Sequence, residues 1–141
     1  MTTFATETVT ITIDAPHDQV SNDLADPASH PVWATEFFSD AAEDLGDGIW
    51  RMTVPRMGGS VHVRIDGDPA LGVIDMYLAP EGEPFGPPLP VRVVPNNDGV
   101  DVLFTLARFP GQTDDQWSEG LESMQRELES LKDRHENGGA R

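Results

Sequence analysis

The chain contains no cysteine. Disulfide staples and thiolate chemistry are thereby excluded, and the composition suits a reducing compartment, so a cytoplasmic location is expected. Lysine is almost missing as well: of nine basic residues, eight are arginine and Lys132 is the exception. Against them stand 25 acidic residues, for a formal net charge of −16. A surface of that sign repels phosphate backbones and anionic lipid heads, so no nucleic-acid partner is expected. The charge serves solubility or presents an acidic face to a basic partner. No apolar run approaches the roughly 20 residues that span a bilayer, so membrane insertion is not expected. The opening residues, MTTFATETVT, lack the basic and apolar segments of a secretory leader.

Catalytic signatures are missing too. The histidines are His17, His30, His62 and His135. No two of them stand at a ligand-pair spacing, so no metal is expected. Gly58-Gly59 reads as a turn and not as a phosphate loop, and no G-x-S-x-G elbow is present. No cofactor is expected.

What remains is pattern. At 141 residues the chain fits one domain, 1–141, with 137–141 read as a disordered tail. Thr8 to Asp14 alternates threonine with Val9, Ile11 and Ile13, the period of a half-buried strand. Pro16 opens a short helix that Asp26-Pro27 closes, and Ala28 to Ala34 reads as a further helical turn or two. Strands are then expected over 36–45, 49–54, 60–66, 72–79, 89–94 and 100–107, separated by turn signals such as Gly46-Asp47-Gly48 and Asn96-Asn97-Asp98-Gly99. Pro80 to Pro90 is proline-rich around Phe85 and reads as a lid or as a stiff crossing between strands. The chain closes on one long helix, with Trp117, Leu121, Met124, Leu128 and Leu131 on a single stripe. Thr113 and Gln116 stand as its capping box, and Glu122 and Arg126 at the spacing of an ion pair.

One apolar helix face after a run of antiparallel strands belongs in the concave side of a curved sheet. The predicted fold class is α+β: a seven-stranded antiparallel sheet wrapped around a long C-terminal helix, with two short helices after strand 1. The order of elements and several motifs resemble the START-like, helix-grip superfamily, which includes polyketide cyclase/dehydrase-like and Bet v 1-like proteins. The motifs are Ile13-Asp14-Ala15-Pro16 with Val20 and Leu24 to Pro27, then Trp33, then Val102 to Leu106 before the last helix. Ser21 departs from the family, which commonly has an aromatic after the position of Val20; the departure implies a roomier cavity or a differently packed first helix.

The resemblance implies a container. A hydrophobic small molecule (polyketide-, lipid- or aromatic-like) held in an internal cavity is the leading expectation, in a carrier, sequestering or self-protection protein. A polyketide cyclase or aromatase using the same cavity is one alternative, and a chaperone-activator-like interaction module is another. The expected ligand-lining residues are Trp33, Trp50, Met52, Met76, Phe104, Trp117 and Met124, since aromatics and flexible methionines on inward faces line pockets for flat or greasy ligands, and equally fill cores. For proton transfer the candidates are His30, His62 and Tyr77, the last two on a face that alternation turns to solvent. A monomer or weak homodimer is expected.

Overall fold

The computed structural model describes residues 3–138. Strand β1 (Thr6–Ile13) leads into helix α1 (His17–Ala25), a 3-10 turn at Pro27–Ser29 and the single-turn helix α2 (His30–Trp33). Six strands follow: β2 (Glu43–Gly46), β3 (Ile49–Val54), β4 (Gly59–Asp68), β5 (Val73–Pro80), β6 (Leu89–Asn96) and β7 (Gly99–Ala107). Helix α3 (Asp114–Glu136) ends the architecture. All seven strands form one antiparallel sheet in the order β1-β7-β6-β5-β4-β3-β2, a meander whose last strand returns to pair with the first. This is the expected helix-grip α+β fold. Among the described residues no helix is long and apolar enough to cross a membrane. Of the expected tail, Asn137 donates its N–H to Asp133 O, Gly138 takes a left-handed φ of 80°, and residues 139–141 lie outside the described residues.

Period-two alternation builds the core side of the sheet. Val9, Ile11 and Ile13 pair across to Phe104, Val102 and Val100, and Phe104 pairs onward to Val91. Ile74 faces Val91, while Ile65 and Val63 face Met76 and Leu78. The buried core gathers these with Val20 and Leu24 of α1, Trp33 of α2, and Leu128 and Leu131 of α3. The capping box at the start of α3 forms as the sequence predicts: Gln116 N donates to Thr113 Oγ1, and Thr113 N to Gln116 Oε1. Gly72 is required where it stands. It holds φ +71°, and a Cβ there would lie 2.0 Å from Val93 O.

Two local expectations are corrected. The strand expected over 36–45 begins only at Glu43. Phe37 and Phe38 instead continue the helical turn after α2, each donating its N–H to Ala34 O. A strand there would leave Phe38 outside, whereas the turn buries it against His30 and Phe37. The four-apart pair of Glu122 with Arg126 does not form. Arg126 reaches across to Glu36 with two hydrogen bonds of 2.8 Å, and to Glu119 at 3.0 Å. A two-pronged guanidinium–carboxylate contact between elements outcompetes a single flexible pair along a helix surface.

The proline-rich crossing lies on the outer, convex face. Phe85 meets Tyr77 edge-on at 6.0 Å, and Arg64 stands over both rings at 4.8 and 5.2 Å. Phe85 is thus engaged on the side of the sheet away from α3.

Candidate functional site

Helix α3 is tied down at its first residue, where Arg108 Nη2 pairs with Asp114 Oδ1 at 2.7 Å, and again from Ser123 onward. Asp23 of α1 accepts from Arg134 Nε (3.0 Å) and Nη2 (3.2 Å) and from His135 Nε2 (2.8 Å), and His135 Nδ1 meets Gln19 Nε2 at 2.8 Å. An Nε2–H tautomer of His135 satisfies both neighbours, donating to the carboxylate and accepting from the amide. Lys132 Nζ donates to Thr12 O, and Glu136 accepts from Asp14 N. Midway, Ser123 and Arg126 hold Glu36. Among the described residues, no side chain from Trp117 to Glu122 hydrogen-bonds or ion-pairs with another element. A Cβ built at Gly120 would meet nothing within 4 Å.

The apolar residues also divide. Trp33, Met52, Phe104, Leu128 and Leu131 are sealed at 2% exposure or less. Other core-facing residues remain half-buried: Trp50, Ile65, Leu78, Leu89 and Leu106 on the sheet, with Trp117, Leu121 and Met124 on α3. The register places two of them, Leu106 and Leu89, at the same end of the sheet as the start of β1. Glu7 pairs with Leu106, one step beyond Val9–Phe104. Leu89 lies beyond Val91 and faces Met76. The same segment of β1, Glu7 to Thr10, borders a groove of about 310 Å3 with Leu121, Glu122 and Gln125 of α3. With half-buried Leu89 and Leu106 at the same end of the sheet, this groove marks a candidate apolar cleft beside the start of α3. Of the seven residues expected to line a cavity, Trp33, Met52, Met76 and Phe104 are packed into the core, while Trp50, Trp117 and Met124 are half-buried.

The proposed proton carriers are placed as follows. His30 is fully buried, its ring 5.3 Å from Trp33 and 6.3 Å from Phe38. Its Nε2–H donates to Leu24 O at 2.7 Å, tying α2 to the last turn of α1. Burial holds its pKa below the ordinary histidine value. His62 and Tyr77 sit on the convex face, His62 with Nε2 3.3 Å from Glu81 Oε1, and Tyr77 under Arg64. Neither faces the cleft. The departure at Ser21 does not loosen α1: the serine is fully buried beneath His17.

Sequence reasoning missed two groups. Trp33 Nε1 is a buried donor with no acceptor. Glu127 is only 4% exposed on α3, and its Oε2 accepts from the N–H groups of Glu36 and Phe37 at 3.1 Å each. Burial pushes this acid up to about 7, with the nearby Glu36 carboxylate adding to the rise and Arg56 and the two N–H groups opposing it. The only available signal was position: Glu127 immediately precedes Leu128 on the apolar stripe, where a flanking acid lies under the α2–β2 connection. A folded-state pKa above the unfolded one means that stability is full below about 4.5 and falls as pH rises toward 7. Glu127→Gln should match the wild type near pH 4.5 and exceed it by about 2 kcal/mol at pH 8, read by urea denaturation at both values. Equal differences at both pH values would show that the acid is not strained in the folded protein.

No family model matches the sequence, and no curated protein matches it. Solved structures do match its shape. The Aha1 dimer from Colwellia psychrerythraea superposes with a TM-score of 0.69 at 16% identity, over 94% of this chain and 96% of that one. The Zhui aromatase/cyclase from Streptomyces sp. R1128 gives 0.67 at 22% identity, over 95% and 94%. A START superfamily protein from Mycobacterium smegmatis gives 0.65 at 16% identity, over 94% and 97%. At these identities the likeness establishes the fold: this chain has the START-like, helix-grip fold.

Proposed function

We propose that the protein binds a flat, mainly apolar small molecule of polyketide, lipid or aromatic type in the cleft under the first half of α3. The observation that carries this reading is the contrast along one helix, sealed and tethered from Ser123 onward, open and without inter-element bonds from Trp117 to Glu122. Inward-facing Trp50, Leu78, Leu89, Leu106, Trp117 and Leu121 keep part of their surface exposed although all belong to core-facing positions. Contiguous apolar surface left uncovered in this way marks a binding groove. The shared fold supports the reading, since START-superfamily and aromatase/cyclase structures lie among its neighbours. We read a carrier or sequestering protein ahead of a cyclase because His30 and Glu127, the titratable residues buried among the described residues, each hold backbone groups in place.

The test is release and identification, by mass spectrometry, of any molecule that copurifies from the native host, followed by titration of that molecule against intrinsic tryptophan fluorescence. Trp117→Ala should weaken binding about tenfold through loss of one aromatic wall, with little change in stability because the residue is only half-buried. Undiminished affinity in both Trp117→Ala and Trp50→Ala would sink this placement of the ligand.

A further inference from the structure

The sheet has two edges, and they are treated differently. The β2 edge is four residues long, reads EDLG and carries two acids, the short charged form that discourages further pairing. The β1 edge runs for eight residues, TETVTITI, with Glu7 its one charge. The alternation of the ladder shows which of its backbone groups are free. Ala5 O accepts from Arg108 N, toward the β7 side, whereas Thr12 O points the other way and accepts from Lys132 Nζ. Even-numbered residues therefore direct their N–H and C=O outward. At Thr12 the helix bonds to that edge; at Thr6, Thr8 and Thr10 no hydrogen bond from the described residues reaches the outward groups.

Beside these free groups lies the groove of about 310 Å3, walled by Glu7, Thr8, Val9 and Thr10 and by Leu121, Glu122 and Gln125. Glu7 and Glu122 have no ion-pair partner among the described residues, and Arg126, which could serve Glu122, is held by Glu36 and Glu119. At the open end of the edge, Phe4 and Phe109 flank the Ala5–Arg108 bond and are 52% and 66% exposed.

We infer that this edge takes up an extended, basic peptide segment of a partner protein as an additional strand. The backbone of Thr6, Thr8 and Thr10 would supply the ladder, a mode of recognition in which main-chain bonds give affinity and alternate side chains give selectivity. At about 3.4 Å per residue, the stretch from Thr6 to Thr10 accommodates some five peptide residues. Alternate side chains on the groove side would meet Glu7 and Glu122, which calls for arginine or lysine. Those on the opposite side would run toward Phe4 and Phe109, which calls for apolar residues. A second copy of this chain fits less well, because pairing two such edges sets a net charge of −16 against another −16 and brings unpaired glutamates together. The inference is independent of the apolar ligand, since it is measured on the ligand-free protein.

The experiment uses two fluorescein-labelled hexapeptides of equal charge, Arg-Val-Arg-Val-Arg-Val and Arg-Pro-Arg-Pro-Arg-Pro, followed by anisotropy. The first can donate to a sheet edge from every residue; the second lacks alternate N–H groups. The valine peptide should bind at least about tenfold more tightly. Thr8→Pro removes only an outward N–H, which an edge strand tolerates, and should abolish that advantage. Should this variant not fold, the surface pair Glu7→Lys with Glu122→Lys reads the same site through charge and should weaken the valine peptide at least as much. Amides of Thr8 and Thr10 should exchange more slowly when that peptide is bound. Equal binding of the two peptides would overturn the proposal, since it shows general attraction to an acidic protein. So would a concentration-dependent dimer that Thr8→Pro disperses while neither peptide binds, since it assigns the edge to a second copy.

Discussion

Trp33→Ala is expected to cost about 4 kcal/mol of folding stability, the usual penalty for truncating a sealed aromatic. That is a large share of the roughly 5–15 kcal/mol that holds a domain of this size together. The indole is 2% exposed and joins two elements: it meets His30 of its own helix at 5.3 Å and Phe104 of β7, edge-on, at 6.2 Å. Its removal leaves a void under α2 that a rigid sheet cannot close. Trp33→Phe should behave differently. It keeps most of the ring volume and removes the buried Nε1–H that has no acceptor, so the loss of packing is offset by relief of an unsatisfied donor. A urea series on both variants checks the pair. If phenylalanine costs as much as alanine, the N–H does find an acceptor in the folded protein.

Asp23→Ala should be the other large loss, about 3 kcal/mol, or roughly 10 °C in Tm. Asp23 is the shared acceptor of Arg134 and His135, and its removal leaves a guanidinium and an imidazole facing each other at a largely covered junction of α1 with α3. The carboxylate also carries a pH signature. Although burial opposes it, hydrogen bonds from His135 and Arg134 bring its pKa down to about 2 from an ordinary 3.8. A lowered folded-state pKa means that the stabilisation is present above about pH 4 and is lost as pH falls toward 2. Solvent screening limits that pH-dependent part to about 1 kcal/mol. Differential scanning calorimetry of wild type and variant between pH 2 and 6 should show the gap between them narrowing with acid. A gap that stays constant would assign the loss to packing instead of charge.

The two variants probe different legs of one arrangement. Trp33 sets the floor of the grip, and Asp23 anchors the end of α3 that the sheet seals. Neither belongs to the open end, so a variant at Trp117 should alter ligand affinity without the stability loss seen for these two.

Much of this architecture was legible in the chain. The threonine–aliphatic alternation of β1, the four-three stripe of α3, the capping box and the Asp-Pro stop after α1 are local patterns with local causes, and each element forms where its pattern stands. Phe37 and Phe38 were misplaced because two adjacent aromatics fit a strand as well as a helical turn, and the choice was made by Glu127, which lies 90 residues further along the chain from Phe37. Arg126 was misassigned for a similar reason: its closest partner in sequence lost to Glu36, which is distant in sequence and adjacent in space.

The sequence by itself determined the strands, the helix face and thus the helix-grip layout, because hydrophobic period and backbone sterics act over a few residues. The tertiary structure decided which stretch of α3 has no bonds to other elements, which inward residues are sealed and which stay half-open, that Glu127 is a buried acid, and that the β1 edge is left free. Those properties depend on register across the sheet and on how far the helix stands from it, and such distances are set jointly by every element that meets at the core.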